Sequence, residues 1–202
     1  MTVLVSIIIS MTIHEAMHGY VAHWLGDTTA KDAGRLTLNP LKHIDVYFTV
    51  LIPMVLLLSG LPPIFAAKPV PFNPSRVRYG DYGAAMIAVA GPLTNLGLAV
   101  LGSLLFRIAI HSSNGVLPIT LTWFILVNIG FFVFNMIPFP PLDGSRLLYA
   151  FAPESLRDIM RTIEGFGFLP ILLFFVVAFR FIGTFISSIE LSLFHILTGV
   201  AL

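Results

Sequence analysis

Cysteine is absent from the 202 residues of this chain. No disulfide can form, and any zinc site has to be built from histidine and carboxylate. Charge is nearly as scarce: 10% of the residues are Asp, Glu, Lys or Arg, against about a quarter in a typical soluble domain. That deficit excludes an ordinary soluble fold. A net charge of +1, with no basic stretch interleaved with aromatics, excludes nucleic acid as a partner. What is left is apolar, 57% of the chain with 18 phenylalanines, gathered into several runs of about 20 residues that match a bilayer core. The sequence therefore predicts an all-α integral membrane protein, a polytopic helical bundle whose solvent is the lipid bilayer. Its length suits a single domain, 1–202, of roughly four to six spans, with no appended soluble module. Residues 1–13 are apolar but lack a basic leader and a small-residue cleavage site. They read as the first half of a span, not as a removable signal.

That first helix, expected from Thr2 to Leu25, contains Ile13-His14-Glu15-Ala16-Met17-His18-Gly19, an HExxH. One helical turn separates His14 from His18, so both imidazoles face one metal ion, with Glu15 beside them as a base for the metal's water. His14 lies roughly 18 Å from one end of the helix and His18 roughly 10 Å from the other, which buries the site in the membrane. An idle His-Glu-His cluster is expensive in lipid, so the cluster marks function. His23 sits about 140° further round the helix from His18 and faces elsewhere.

Asp27 to Asp45 is the one clearly polar stretch. Within it Arg35 to Asn39 alternates and stops at Pro40. That suggests either an edge strand beside the site, open to pairing with an extended substrate, or a connecting loop. His43 reads as loop packing. Residues 46–67 are apolar but interrupted by Pro53, Ser59-Gly60 and Pro62-Pro63, and basic charge suggests how they run. If the segment re-enters, Lys31, Arg35, Lys42, Lys68, Arg76 and Arg78 share one face with Arg146, Arg157 and Arg161. Only Arg107 and Arg180 of the chain's 11 basic residues are then left elsewhere. That asymmetry favours a re-entrant segment, with these loops cytoplasmic.

Residues 66–78 carry three prolines and read as a rigid extended connector. The next span, from about Tyr82 to Ile110, begins after Asp81 and has a small-residue face that includes Gly91 and Gly97, suited to close helix contact. Asn95 inside it is either glue between helices or a group beside the site that holds substrate backbone. Another span runs from about Leu117 to Ile137, with Asn128 and Asn135 on one face. Pro138, Pro140 and Pro141 then break the helix before Asp143-Gly144. A broken segment is tolerated in lipid only inside protein or along a cavity. Asp143 is therefore the best third ligand, giving two histidines, one aspartate and an open position. Asp45 and Asp81 are weaker rivals. Glu154 to Glu164 suits an interfacial helix, and Phe166 to about Ile189 a last span containing Arg180. The tail from Glu190, with His195, is a half-span, an interfacial helix or a continuation of that span.

The segments IHEAMHGYVAHWLGD, GRLTLNPLKHID, AKPVPFNP, AGPLTN and NMIPFPPLDGSR together resemble the site-2 protease family of intramembrane zinc metalloproteases, in its compact prokaryotic branch without PDZ or CBS domains. The motifs fall in the family's order over residues 10–146, leaving 147–202 as accessory helices. The resemblance implies a zinc metalloendopeptidase with one Zn2+ per chain, held by His14, His18 and Asp143, and Glu15 as the catalytic base. It also implies that Asn95 and Asn135 lie near bound substrate. The expected substrates are transmembrane proteins, cut in or near their membrane segments. The expected setting is the cell membrane of a prokaryote, with the site toward the cytoplasm. A catalytically silent protein that binds membrane helices and a metal-ion transporter are the competing functions.

Overall fold

The computed structural model describes residues 1–60, 67–110, 115–167 and 169–201, without the side chains of Phe48, Phe175 and residues 178–182. Arg180, expected inside the last span, and His111 therefore lie outside what is described. Among the described residues eight α-helices follow one another: α1 (Thr2–Trp24), α2 (Thr29–Asp32), α3 (Ile52–Leu58), α4 (Gly80–Ala109), α5 (Val116–Asn135), α6 (Asp143–Phe151), α7 (Glu154–Gly165) and α8 (Leu169–Thr198). Among the described residues α1, α4 and α5 are long and apolar enough to cross a membrane. The tail after Glu190 continues α8 without a break.

The bundle is held by two apolar clusters. Ala99 and Phe106 of α4, Ile125, Ile129 and Val133 of α5 and Phe194 of α8 form one of them. Ala22 of α1, Leu25 just after it, Val77 ahead of α4 and Ile87 of α4 form the other, with Phe72 against it. Small residues let the helices approach. A Cβ on Gly102 would sit 3.1 Å from Ile125 and Phe124, whereas one on Gly97 would meet nothing within 4 Å. The expected small-residue face is thus in contact only in part. Lipid cannot drive apolar side chains together, so such close packing has to supply the association.

One expectation changes. Arg35 to Asn39 forms no strand, and no strand occurs among the described residues. The local side chains turn the chain instead: Thr37 Oγ1 accepts from Asn39 N–H at 3.1 Å, and Asn39 Oδ1 accepts from Leu41 N–H at 3.1 Å. These bonds start a 3-10 turn at Pro40–Lys42 and leave no neighbouring chain in register for a ladder. Next, residues 46–67 begin with six residues of π-helix and seven of α3. Together these reach about 20 Å, short of a bilayer core of about 30 Å. Residues 61–66 lie outside the description. Even so, Lys68 N–H donates to the His43 carbonyl at 2.8 Å, so the two ends of this excursion meet.

At the opposite end of the molecule Arg107 caps α8, donating to the Leu197 carbonyl at 2.8 and 3.1 Å. Helix α7 is tied to its neighbours by charge. Arg157 bonds Asp81 at the start of α4 at 2.8 Å, and Arg146 of α6 bonds Glu164 at 3.1 Å.

Candidate metal centre

Helix α1 places His14 and His18 on one buried face, and their rings meet edge to face with centroids 4.7 Å apart. Asp143 is the first residue of α6. It is brought to them by a sharp fold-back after α5, in which Gly144 lies against the Met136 and Ile137 carbonyls where a Cβ would collide. Among the described residues, His14, His18 and Asp143 are the one group that can hold a metal. Asp45 instead accepts from Tyr47 N–H in its own turn and Asp81 pairs with Arg157. Fully buried His43 points Nε2 at the Thr37 carbonyl, 2.8 Å away.

The hydrogen bonds behind the imidazoles fix what faces the centre. His14 Nδ1 lies 2.6 Å from Asn95 Oδ1, and His18 Nδ1 lies 2.7 Å from the Ile87 carbonyl. We assign the Asn95 amide this way because its nitrogen donates to Asn128 Oδ1 at 2.9 Å and to the Ser10 carbonyl at 3.4 Å. Both Nδ1 atoms therefore carry protons, and both Nε2 atoms turn lone pairs inward. These two nitrogens and Asp143 Oδ2 form a triangle with sides of 3.1, 3.2 and 3.4 Å.

Three acceptors at such distances repel unless something positive lies among them. Zinc bonds of about 2.0–2.1 Å at tetrahedral angles put neighbouring ligand atoms about 3.3 Å apart. The triangle has that size, so the residues present fit zinc. A cation at the centre would satisfy the Asp143 carboxylate together with both Nε2 lone pairs.

Helix α4 does more here than the sequence suggested. Gly91 leaves the space that the ligand rings occupy: a Cβ there would stand 2.5 Å from His18 Nε2 and 2.7 Å from His14 Cε1. Pro92 has no N–H for the carbonyl four residues back and crowds it. That carbonyl belongs to Ala88, and the carbonyl one residue before it, on Ile87, receives His18. Asn95 is fully buried, with its oxygen toward His14 and its nitrogen toward Asn128, which in turn donates to the Phe124 carbonyl at 2.8 Å. Asn128 was visible in the sequence as an amide within a span, but nothing tied it to the histidines. Asn135 is part-exposed and donates to the Phe131 carbonyl at 2.9 Å, and its Oδ1 takes no bond from a described residue. Glu15 Oε2 accepts from Val70 N–H at 3.0 Å, a contact no motif announces.

Sequence comparison agrees with this centre. The chain is 37% identical over 181 residues to the "Putative zinc metalloprotease YwhC" of Bacillus subtilis, across 85% of this chain and 78% of that protein. It is 24% identical over 172 residues to the "Putative zinc metalloprotease Rip2" of Mycolicibacterium smegmatis, across 84% of this chain and 64% of that one. With Rip2 of Mycobacterium tuberculosis the identity is 26% over 156 residues, covering 75% of this chain and 58% of the relative. The chain thus spans under two thirds of either Rip2. No protein-family model and no solved structure matches it. A buried group of two histidines and one aspartate that can hold a metal, with helices fit to cross a membrane, accords with the metalloprotease class that these names give. The chain belongs to the family of zinc metalloproteases that includes YwhC.

Proposed function

We propose that this protein is an intramembrane zinc endopeptidase of the site-2 type, which hydrolyses peptide bonds in or beside transmembrane segments of other membrane proteins. The observation that carries the reading is the inward triangle of His14 Nε2, His18 Nε2 and Asp143 Oδ2, set within the length of a membrane-crossing helix and with Glu15 next in sequence. A bound zinc supplies Lewis acidity, which polarises the scissile carbonyl and makes a water easier to deprotonate. Glu15 takes the proton from that water and hands it to the leaving amine. Asn95 keeps His14 in the tautomer and orientation that ligation needs, held in turn by Asn128.

A substrate helix has its backbone bonds satisfied and has to unwind before a carbonyl can enter. Asn135 Oδ1 is placed to accept a freed substrate N–H. The N–H groups of Leu36, Thr37 and Leu38 donate to no described residue and offer an edge for the unwound chain. Residues 46–60 leave, and Lys68 returns to, one face of the membrane, in keeping with the meeting of His43 and Lys68, which leaves most basic residues and the mouth of the site on the cytoplasmic face of a prokaryotic cell membrane.

The test is zinc content and cleavage of a model transmembrane peptide, run on detergent-purified wild type, Glu15→Gln and Asp143→Ala. The wild type should hold one zinc per chain and cut. Glu15→Gln should keep its zinc and not cut, and Asp143→Ala should lose both. A wild type without zinc or cleavage points to a silent helix binder, and metal flux in vesicles without cleavage points to a transporter. Either result overturns the proposal.

A further inference from the structure

The extended segment from Lys68 to Asn73 crosses the face of α1 that carries Glu15, and it is fastened on both sides of the crossing. At Lys68 the N–H donates to the His43 carbonyl at 2.8 Å, and the carbonyl accepts from the buried Arg35 guanidinium. At Asn73 the N–H donates to Asp27 Oδ2 at 2.6 Å. Between these ties the Val70 side chain is buried against Gly19 of α1, where an added Cβ would stand 3.3 Å from Val70 Cγ1 and 2.8 Å from Leu36 Cδ2. From that seat Val70 N–H reaches Glu15 Oε2, 3.0 Å away.

The neighbours of Val70 make this donor singular. Pro69 and Pro71 have no N–H and restrict their own backbone angles, so within this Pro-Val-Pro only position 70 can donate. We infer that Val70 is a positioning residue for the general base: its amide holds Glu15 Oε2 and leaves Oε1, which takes no bond from a described residue, to meet the water. A free glutamate side chain spreads over many rotamers. A fixed donor on a fastened segment restricts them before substrate arrives. The inference rests on the peptidase reading of the site.

The experiment uses the full chain, zinc-loaded in detergent, and compares Val70→Pro, which removes the N–H, with Val70→Ala, which keeps it. Val70→Ala should cut within a few-fold of wild type. Val70→Pro should lose kcat on the order of 10²-fold, with KM and zinc content unchanged. Where the proline variant unfolds, replacing Val70 by its α-hydroxy acid turns the amide into an ester with the side chain intact, and the same loss of kcat is expected.

A second readout needs no turnover. Hydrogen exchange at the Val70 amide should quicken at least tenfold in Glu15→Ala, while exchange at Lys68 stays as in wild type. Unchanged Val70 exchange overturns the contact, and full kcat in a folded N–H-less variant of an active enzyme overturns the positioning role alone. A zinc-loaded wild type that cuts nothing removes the peptidase reading and the catalytic role with it.

Discussion

Replacing Gly91 by alanine adds one methyl group and removes no ligand, yet the geometry makes it one of the most damaging changes available. The new Cβ would lie 2.5 Å from His18 Nε2, 2.6 Å from His18 Cε1 and 2.7 Å from His14 Cε1, where ordinary contact begins at 3.4 Å. The rings or the helices have to give by about 1 Å, while metal–ligand distances tolerate about 0.2 Å. The rings cannot retreat freely, because Asn95 and the Ile87 carbonyl hold their far nitrogens. Overpacking of this kind costs about 1–3 kcal/mol in a core. Here the strain falls on both histidines, so we expect zinc affinity to drop about 100-fold or more, about 2.7 kcal/mol, with cleavage lost in proportion. Gly97→Ala is the matched control: it lies on the same helix, has nothing within 4 Å of its added Cβ, and should gain about 0.5–1 kcal/mol of helix stability. Competition with a chelator, read beside thermal unfolding, measures both variants. A folded Gly91→Ala protein with wild-type zinc affinity would refute the packing argument, and equal loss in both variants would assign the effect to helix propensity.

Two further changes probe the layer behind the candidate ligands and the loop that follows α1. Asn95→Leu should weaken zinc about 10–100-fold by freeing His14, and it should destabilise the fold by about 1–3 kcal/mol because Asn128 loses its buried donor; chelator titration and melting curves check the two halves separately. Asp27 gives the pH dependence. Burial opposes its ionisation, but the Thr29 hydroxyl and the Asn73 and Thr29 N–H groups outweigh that and hold its carboxyl below the usual value. Its stabilising effect is therefore complete above the unfolded value of about 3.9 and disappears as pH falls through the lower folded value. Unfolding curves between about pH 5 and 2 should be flatter in Asp27→Asn, and an unchanged acid limb would contradict the assignment.

The parts of the protein legible in its sequence are those carried by local spacing. The four-residue step from His14 to His18 fixes a shared helix face wherever the helix goes. Three prolines before Asp143 announce a broken segment, and the apolar runs mark α1, α4 and α5. The strand expected at Arg35 to Asn39 failed because alternation is only half of a strand. The other half is a partner in register, and here Thr37 and Asn39 spend their side chains on turning the chain. Nor does spacing reveal that Asn95 reaches across 81 positions to His14, or that Val70 reaches across 55 to Glu15. Those contacts follow from how α4 and the Pro-Val-Pro segment settle on α1, which is a property of packing.

That division has a physical reason. A metal dictates ligand types and a helix dictates their spacing, so the ligands must appear in the sequence as a motif. The layer that orients them needs only an acceptor behind each Nδ1–H, and a backbone carbonyl serves His18 as well as the Asn95 side chain serves His14. A carbonyl is available at every residue, so nothing in the letters marks Ile87. What brings it within reach is the absence of a side chain at Gly91, which lets α4 come close enough. In this centre the conspicuous residues face one another, while a glycine, an amide and a backbone carbonyl fix how they do so.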